Sequence, residues 1–249
     1  MKIYKNIYEK YKNGIKQFAI LIDPDNVTTS DLYKITEISK ESNVDYIFVG
    51  GSLLIHNNLD EVIKEIKENC NIPVILFPGN TLQVSLNADA ILFLSLISGR
   101  NPEMLIGKHV EAAPEIKRHN LEAIPTGYML IDGGKPSSVE YMSNTKPIPG
   151  DKHGIAVSTA IAGELLGLKT IYMDAGSGAS HPISQKMISS VRKAVNLPLI
   201  IGGGIDSREK ALSACNAGAD IVVVGNAIEK DKSLIIDIAS SVKAIRVEA

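Results

Sequence analysis

No tryptophan occurs among the 249 residues, and cysteine occurs only twice. Cys70 and Cys215 form no metal or disulfide spacing, which excludes a cysteine-ligated metal and a disulfide framework. An excess of positive charge is also missing: the formal net charge is −2. Lysine and arginine are scattered, with no basic block and no aromatic stacking platform, so nothing points to nucleic acid. No apolar run is long enough to span a bilayer, and the start, Met1-Lys-Ile-Tyr-Lys-Asn6, lacks an apolar signal core. The expectation is a cytoplasmic protein without a transmembrane anchor. What is present is material for a core. Hydrophobic residues make up 45% and charged residues 22%, a balance that excludes disorder. The length suits one α/β barrel or two small domains. No shift in composition marks a boundary, so one domain over 1–249 is expected.

Apolar runs recur along the chain, and most stop in glycine, aspartate or proline. Gln17–Ile22, Tyr46–Val49, Pro73–Phe77, Ala90–Ile97, Glu122–Ile131, Thr170–Asp174 and the two runs within 198–205 and 217–226 read as eight strands. Continuous runs of this kind suit strands buried on both faces. Between them lie helical periodicities. Leu32, Ile35 and Ile38 share one face, with Ser30 as the expected N-cap. Val62, Ile63 and Ile66 share another. Pro102–His119 reads as a helix with a break at Gly107 or Pro114, and Lys232–Val247 as a closing helix. Residues 1–16 read as a polar helix ahead of the first strand. No helix fits between the third and fourth strands. Residues 132–151, rich in Gly, Pro and Ser, read as a long loop that walls one end. Eight βα units in this length favour a closed (β/α)8 TIM barrel over an open sheet.

In such barrels the functional groups sit at the carboxyl ends of the strands. Gly202-Gly203-Gly204, followed one unit later by Gly225-Asn226, places two glycine-ended strands side by side. Glycine lets backbone N–H groups approach a ligand, and two such ends make a cup suited to phosphate. Asp23 leaves the first strand at an Asp-Pro turn. It is either an Asx-turn carboxylate or a ligand for a hard cation such as Mg²⁺, with Ser52 on the next strand end completing the site. Asp174 precedes Ala175-Gly176-Ser177-Gly178. It is either held by loop N–H groups or is a base for a substrate hydroxyl. Tyr172 points to the same strand face as Asp174. The five histidines show no ligand spacing and read as surface or loop residues.

Taken together, Leu21-Ile-Asp-Pro-Asp25, Val49-Gly-Gly-Ser52, Ser98-Gly-Arg-Asn-Pro102, Ile124-Pro-Thr-Gly-Tyr128, Tyr172-Met-Asp-Ala-Gly-Ser-Gly178, Ile201-Gly-Gly-Gly-Ile205 and Val224-Gly-Asn226 resemble the geranylgeranylglyceryl phosphate synthase family. The likeness spans nearly the whole chain and is closest to the second group, which includes bacterial heptaprenylglyceryl phosphate synthases. The resemblance implies a modified barrel whose third helix is replaced by irregular chain. It implies Mg²⁺-dependent attack of the 3-hydroxyl of sn-glycerol 1-phosphate on carbon 1 of a prenyl diphosphate, giving an ether lipid precursor and pyrophosphate. By position, Asp23 and Ser52 would bind Mg²⁺. Tyr172, Met173, Asp174, Ala175, Gly176, Ser177, Gly178, Gly203, Gly204, Gly225 and Asn226 would hold the glycerol phosphate, with Asp174 and Tyr172 at the chemistry. The prenyl tail calls for an apolar groove, for which Leu53, Leu54, Phe77, Phe93 and Leu96 are candidates. The family further suggests a homo-oligomer, and lipid-like substrates suggest transient membrane contact.

Three departures stand out. Asp174 occupies a position where the family usually has glutamate, one methylene longer. Asn26 stands where lysine is frequent, which removes a pyrophosphate contact. Glu103-Met104-Leu105 lacks the bulky aromatic that relatives often carry nearby, which leaves room for tails longer than geranylgeranyl. Two other readings compete: a sugar-phosphate isomerase or epimerase on the same phosphate cup, and a non-catalytic ligand-binding barrel.

Overall fold

The computed structural model describes residues 2–245. In chain order the elements are α1 (Lys2–Lys12), β1 (Gln17–Ile22), α2 (Thr29–Glu41), β2 (Tyr46–Val49), α3 (Leu59–Asn69), β3 (Val74–Leu76), β4 (Ala90–Leu96), α4 (Lys108–Arg118), β5 (Glu122–Leu130), α5 (Ser138–Ser143), α6 (His153–Leu165), β6 (Thr170–Asp174), α7 (Gln185–Ala194), β7 (Leu199–Gly202), α8 (Arg208–Ala217), β8 (Ile221–Val224), α9 (Asn226–Lys230) and α10 (Leu234–Ala244). All strand pairs are parallel and run in sequence order, and β1 pairs with β8, so the sheet closes into the expected barrel.

Both faces of each strand are buried, and strand alternation divides the core in two. Phe18, Ile20, Ile47, Val49, Ile171, Met173 and Ile201 pack outward against the helices. Ala19, Tyr46, Phe48, Ile75, Leu92, Tyr128, Tyr172 and Ile200 fill the barrel's interior. This explains why the sequence shows continuous apolar runs. The expected polar helix is α1, and its apolar edge (Ile3, Tyr4 and Ile7) joins the interior cluster, so it plugs the amino-terminal end of the barrel. Glu122, the first residue of β5, accepts the N–H groups of Lys2, Ile3 and Tyr4 at 2.6, 3.0 and 2.8 Å. One carboxylate thereby satisfies three otherwise unpaired donors at a helix start and complements its dipole. Glu122→Ala should lower stability by about 1–2 kcal/mol, read as a drop in melting temperature with catalytic constants unchanged.

Between β3 and β4 the chain makes turns and bends without a helix, as the sequence predicts. Other details differ. Thr28, not Ser30, caps α2: its hydroxyl accepts the Asp31 N–H, two residues earlier than the apolar spacing suggests. The Pro102–His119 helix divides at Gly107, where a single π turn (Glu103–Gly107) meets α4, while Pro114 stays inside α4 and withholds only its missing N–H. The 132–151 loop contains α5, capped by the Ser137 hydroxyl on the Glu140 N–H. The helix expected over 232–247 is α10, and residues 246 and 247 lie outside the described residues.

Candidate functional site: one cavity across the strand ends

The carboxyl ends of the strands open into a cavity of about 780 Å³. Asp23, Ser52, Tyr172, Asp174, Gly176, Ser177, Gly178, Gly203, Gly204, Gly225 and Asn226 all line it. The structure thus brings the sequence candidates together, with Met173 and Ala175 facing the outer core instead.

Strand register sets the centre. Tyr128 lies beside Tyr172, and Asp174 lies one layer higher, beside Leu130 and Gly202. The Tyr128 hydroxyl reaches up and donates to Asp174 Oδ2 at 2.6 Å, while the Gly176 N–H donates to Oδ1 at 2.8 Å. Asp174 is therefore held by a loop N–H, as one of the two readings expects, and its side chain also faces the cavity. Burial pushes its carboxyl above the ordinary range, and the two hydrogen bonds only partly offset this. Below Asp174, Tyr172 stacks on Phe77 with ring centres 4.9 Å apart and planes 11° apart, and Tyr128 tilts against both. Burial raises the pKa of each tyrosine, so both hydroxyls stay protonated. Sequence reasoning quotes Tyr128 in a motif and gives it no task. Its partner is 46 residues away, and only the β5–β6 register reveals the pair.

The glycine end is built by close approach. Gly203 and Gly204 have φ of +79° and +68°. A Cβ on Gly203 would stand 2.6 Å from Asp174 Oδ1 and 2.7 Å from the Ala175 and Gly176 nitrogens. The nearest atoms to a Cβ on Gly225 would be those of Leu21, at the ordinary contact distance of 3.5 Å. Among the described residues, the N–H groups of Gly178, Gly203, Gly204 and Gly225 have no acceptor within the chain. Ser177 and Asn226 join the two sides through an Oγ–H to Oδ1 bond of 3.0 Å.

The acidic end is Asp23. Its Oδ1 accepts the Asp25 N–H at 3.0 Å, the Asx-turn arrangement, and Oδ2 accepts the Asn26 amide at 3.0 Å. Burial raises its pKa, the Asp25 N–H lowers it, and the Asp25 charge raises it further. Gly51 packs so tightly that a Cβ would lie 3.3 Å from Asp23 Oδ2, which brings the Ser52 strand end alongside. Two groups missed in the sequence fix this corner. Buried Gln83 accepts the Gly51 and Gly79 N–H groups at 3.3 and 3.2 Å and donates to the Gly51 carbonyl at 2.8 Å. Half-buried Glu229 lines the cavity, its pKa raised by burial and then by the Asp23 charge.

An apolar flank completes the cavity. It touches Leu92, Leu94 and Leu96 on the inner face of β4 and also Ile91 and Phe93 on the outer face. It then runs past Met104, His109, Ala112 and Ile116, along the side left open by the absent third helix. Of the expected groove residues, Leu53, Phe77, Phe93 and Leu96 line it, whereas Leu54 packs on the outer core. His109 corrects the reading of the histidines as surface groups. It is 8% exposed, meets Phe93 edge-on at 4.4 Å and faces Ser95 Oγ at 3.3 Å through Nε2. Burial lowers its pKa, so it is neutral. Its spacing with Ala112 and Ile116, three and seven residues on, was the available signal for an inward face.

A sequence model of the PcrB family matches residues 10–243. The chain belongs to the PcrB family. A geranylgeranylglyceryl phosphate synthase from Chitinophaga pinensis is 56% identical over 243 residues, 98% of this chain and 96% of that protein. One from Spirosoma linguale is 51% identical over 238 residues, 95% and 96% of the two chains. In three dimensions the PcrB chain resembles the (S)-3-O-geranylgeranylglyceryl phosphate synthase of Thermoplasma acidophilum, solved in complex with its substrate sn-glycerol-1-phosphate. The TM-score is 0.93 at 32% identity, covering 98% of this chain and all of the other. Among the described residues of this PcrB protein, no helix is long and apolar enough to cross a membrane.

Proposed function

We propose that this chain is a prenyltransferase that joins the 3-hydroxyl of sn-glycerol 1-phosphate to carbon 1 of a prenyl diphosphate through an ether bond and releases pyrophosphate, a step of ether-lipid synthesis. One observation carries the reading: a single cavity has an acidic end, a glycine end, a buried carboxylate between them and an apolar flank. Each part matches one part of the substrates. The free N–H groups of Gly178, Gly203, Gly204 and Gly225 take the glycerol phosphate, with Asn226 and the rest of the Tyr172–Gly178 segment around it. The acceptor hydroxyl then faces Asp174, whose raised pKa suits it to accept that proton near neutral pH. The packed rings of Phe77, Tyr128 and Tyr172 exclude water below the reacting atoms. The apolar flank takes the tail, with Met104 in the Glu103–Leu105 segment near which relatives often carry a larger aromatic.

The donor set at Asp23 and Ser52 fits Mg²⁺. This cation takes one or two carboxylates and fills its remaining positions with phosphate oxygens and water rather than an all-protein cage. Among the described residues no group of three or more His, Cys, Asp or Glu is placed to bind a metal. Bound there, the ion would neutralise the pyrophosphate leaving group. The same reading carries a homo-oligomer in the cytoplasm with passing membrane contact. These features favour prenyl transfer over sugar-phosphate isomerisation, which needs no apolar flank.

Incubation with sn-glycerol 1-phosphate, labelled geranylgeranyl diphosphate and Mg²⁺ should give an ether-linked product. Chelation of the metal, or Asp23→Asn, should lower the rate about a hundredfold or more. Pyrophosphate release without an ether product would count against the reading.

A further inference from the structure

The long loop after β5 carries a cation that the proposed chemistry has not yet used. Lys135 Nζ stands 3.6 Å from where a Cβ on Gly178 would lie, and the same point is 4.0 Å from the Asn226 amide nitrogen. The ammonium is therefore at the rim of the glycine cup. Among the described residues it has no carboxylate partner. The carboxylates nearest in sequence or at the rim are engaged elsewhere. Asp132 accepts the Gly134 N–H at 2.9 Å, and Asp206 pairs with Lys210 at 2.7 Å.

The backbone at Lys135 is held in place by the loop around it. The Gly133 carbonyl accepts the N–H groups of Ser180 and His181 at 2.8 and 3.3 Å. Gly134, at φ +87°, is packed so that a Cβ would meet His181 Nε2 at 2.6 Å. Beyond Lys135, a Cβ on Gly176 would touch Ser137 Cβ at 2.7 Å. The loop is thus strapped to the 175–181 segment on both sides of Lys135. Pro136 adds a restriction, because a residue before proline is held to extended backbone.

We propose that Lys135 is a phosphate-recognition residue: its ammonium closes the glycine cup over the phosphate of the acceptor and neutralises charge that the backbone N–H groups only solvate. The inference rests on the functional reading above and adds to it a side-chain cation. A strongly hydrated ammonium on a flexible stem suits a phosphate as a point charge, without the fixed bidentate geometry of arginine.

The test is calorimetric titration with sn-glycerol 1-phosphate and, separately, inorganic phosphate, on the wild type, Lys135→Met, Lys135→Arg and the exposed control Lys64→Met. All four should melt together, because Lys135 and Lys64 are exposed. Lys135→Met should weaken both ligands about tenfold and raise KM for glycerol phosphate by a similar factor, leaving KM for prenyl diphosphate in place. Lys135→Arg should recover binding to within about threefold of wild type. Added salt should weaken wild-type binding more steeply than that of Lys135→Met. A Kd for Lys135→Met within twofold of wild type overturns the proposal, as does an equal loss in Lys64→Met. A wild type that binds inorganic phosphate but not glycerol phosphate sinks the substrate reading, and the phosphate titration still judges Lys135. No binding of either ligand overturns both.

Discussion

Asp174→Asn is expected to lower kcat by about 10²–10⁴-fold in a protein that melts no lower than the wild type. The replacement keeps the shape and the partners. The amide oxygen still accepts the Gly176 N–H, and the amide nitrogen donates to the Tyr128 hydroxyl, which reverses its role. What disappears is a charge buried against two aromatic rings. Burial holds the Asp174 carboxyl above its value in the unfolded chain, so the folded state binds this proton more tightly. The contribution is then fully present at pH below the unfolded value and is lost as pH rises through the folded one. At neutral pH the ionised group opposes folding, and the neutral amide removes that cost. Thermal melting at pH 7 beside single-turnover ether formation reads both halves. A variant within tenfold of wild-type kcat would remove Asp174 from the proton-accepting role. A large loss of stability would show that the carboxylate is structural.

Gly203→Ala should damage two steps at once. At φ +79° a side chain is strained, and the new methyl would fall 2.6 Å from Asp174 Oδ1 and 2.7 Å from two backbone nitrogens. Stability should drop by about 1–3 kcal/mol. The phosphate cup widens and the Asp174 carboxylate is pushed aside, and misplacement of that order costs about a hundredfold in rate. Kinetics with each substrate varied in turn should show KM for glycerol phosphate rising and kcat falling, with KM for prenyl diphosphate unmoved. A loss confined to prenyl diphosphate would mean that the two ends of the cavity are assigned the wrong way round. Because Gly203 touches Asp174, the glycine cup and the buried carboxylate are one unit, although they come from β7 and β6.

The barrel was legible because its strands are unambiguous. Gln17–Ile22, Tyr46–Val49 and Thr170–Asp174 are apolar runs cut off by turn residues, and their bounds in the structure agree with those in the sequence. The gap after β3 was equally plain, since too few residues separate β3 from β4 for a packed helix. The short helices α5 and α9 were not legible. Helices of six and five residues are held by caps and neighbours rather than by periodicity. At the candidate site, residues beside glycine or proline could be picked out one strand end at a time. Tyr128, Gln83, Glu229 and Lys135 could not, because each matters through a partner distant in the chain.

The absent helix after β3 has one more consequence. A complete barrel presents a cup, and whatever binds there must be no longer than the cup is deep. Here one staple of the outer ring is missing, so the cup has a spout that passes over β4 and along α4. A ligand lying in it can have its reacting end at the axis and its far end beyond the protein's edge. Volume then no longer measures length. On the proposed reading, discrimination between long and short tails would fall to the few side chains that stand across the spout, and a substitution at one of them, such as Met104, would shift it without disturbing the barrel.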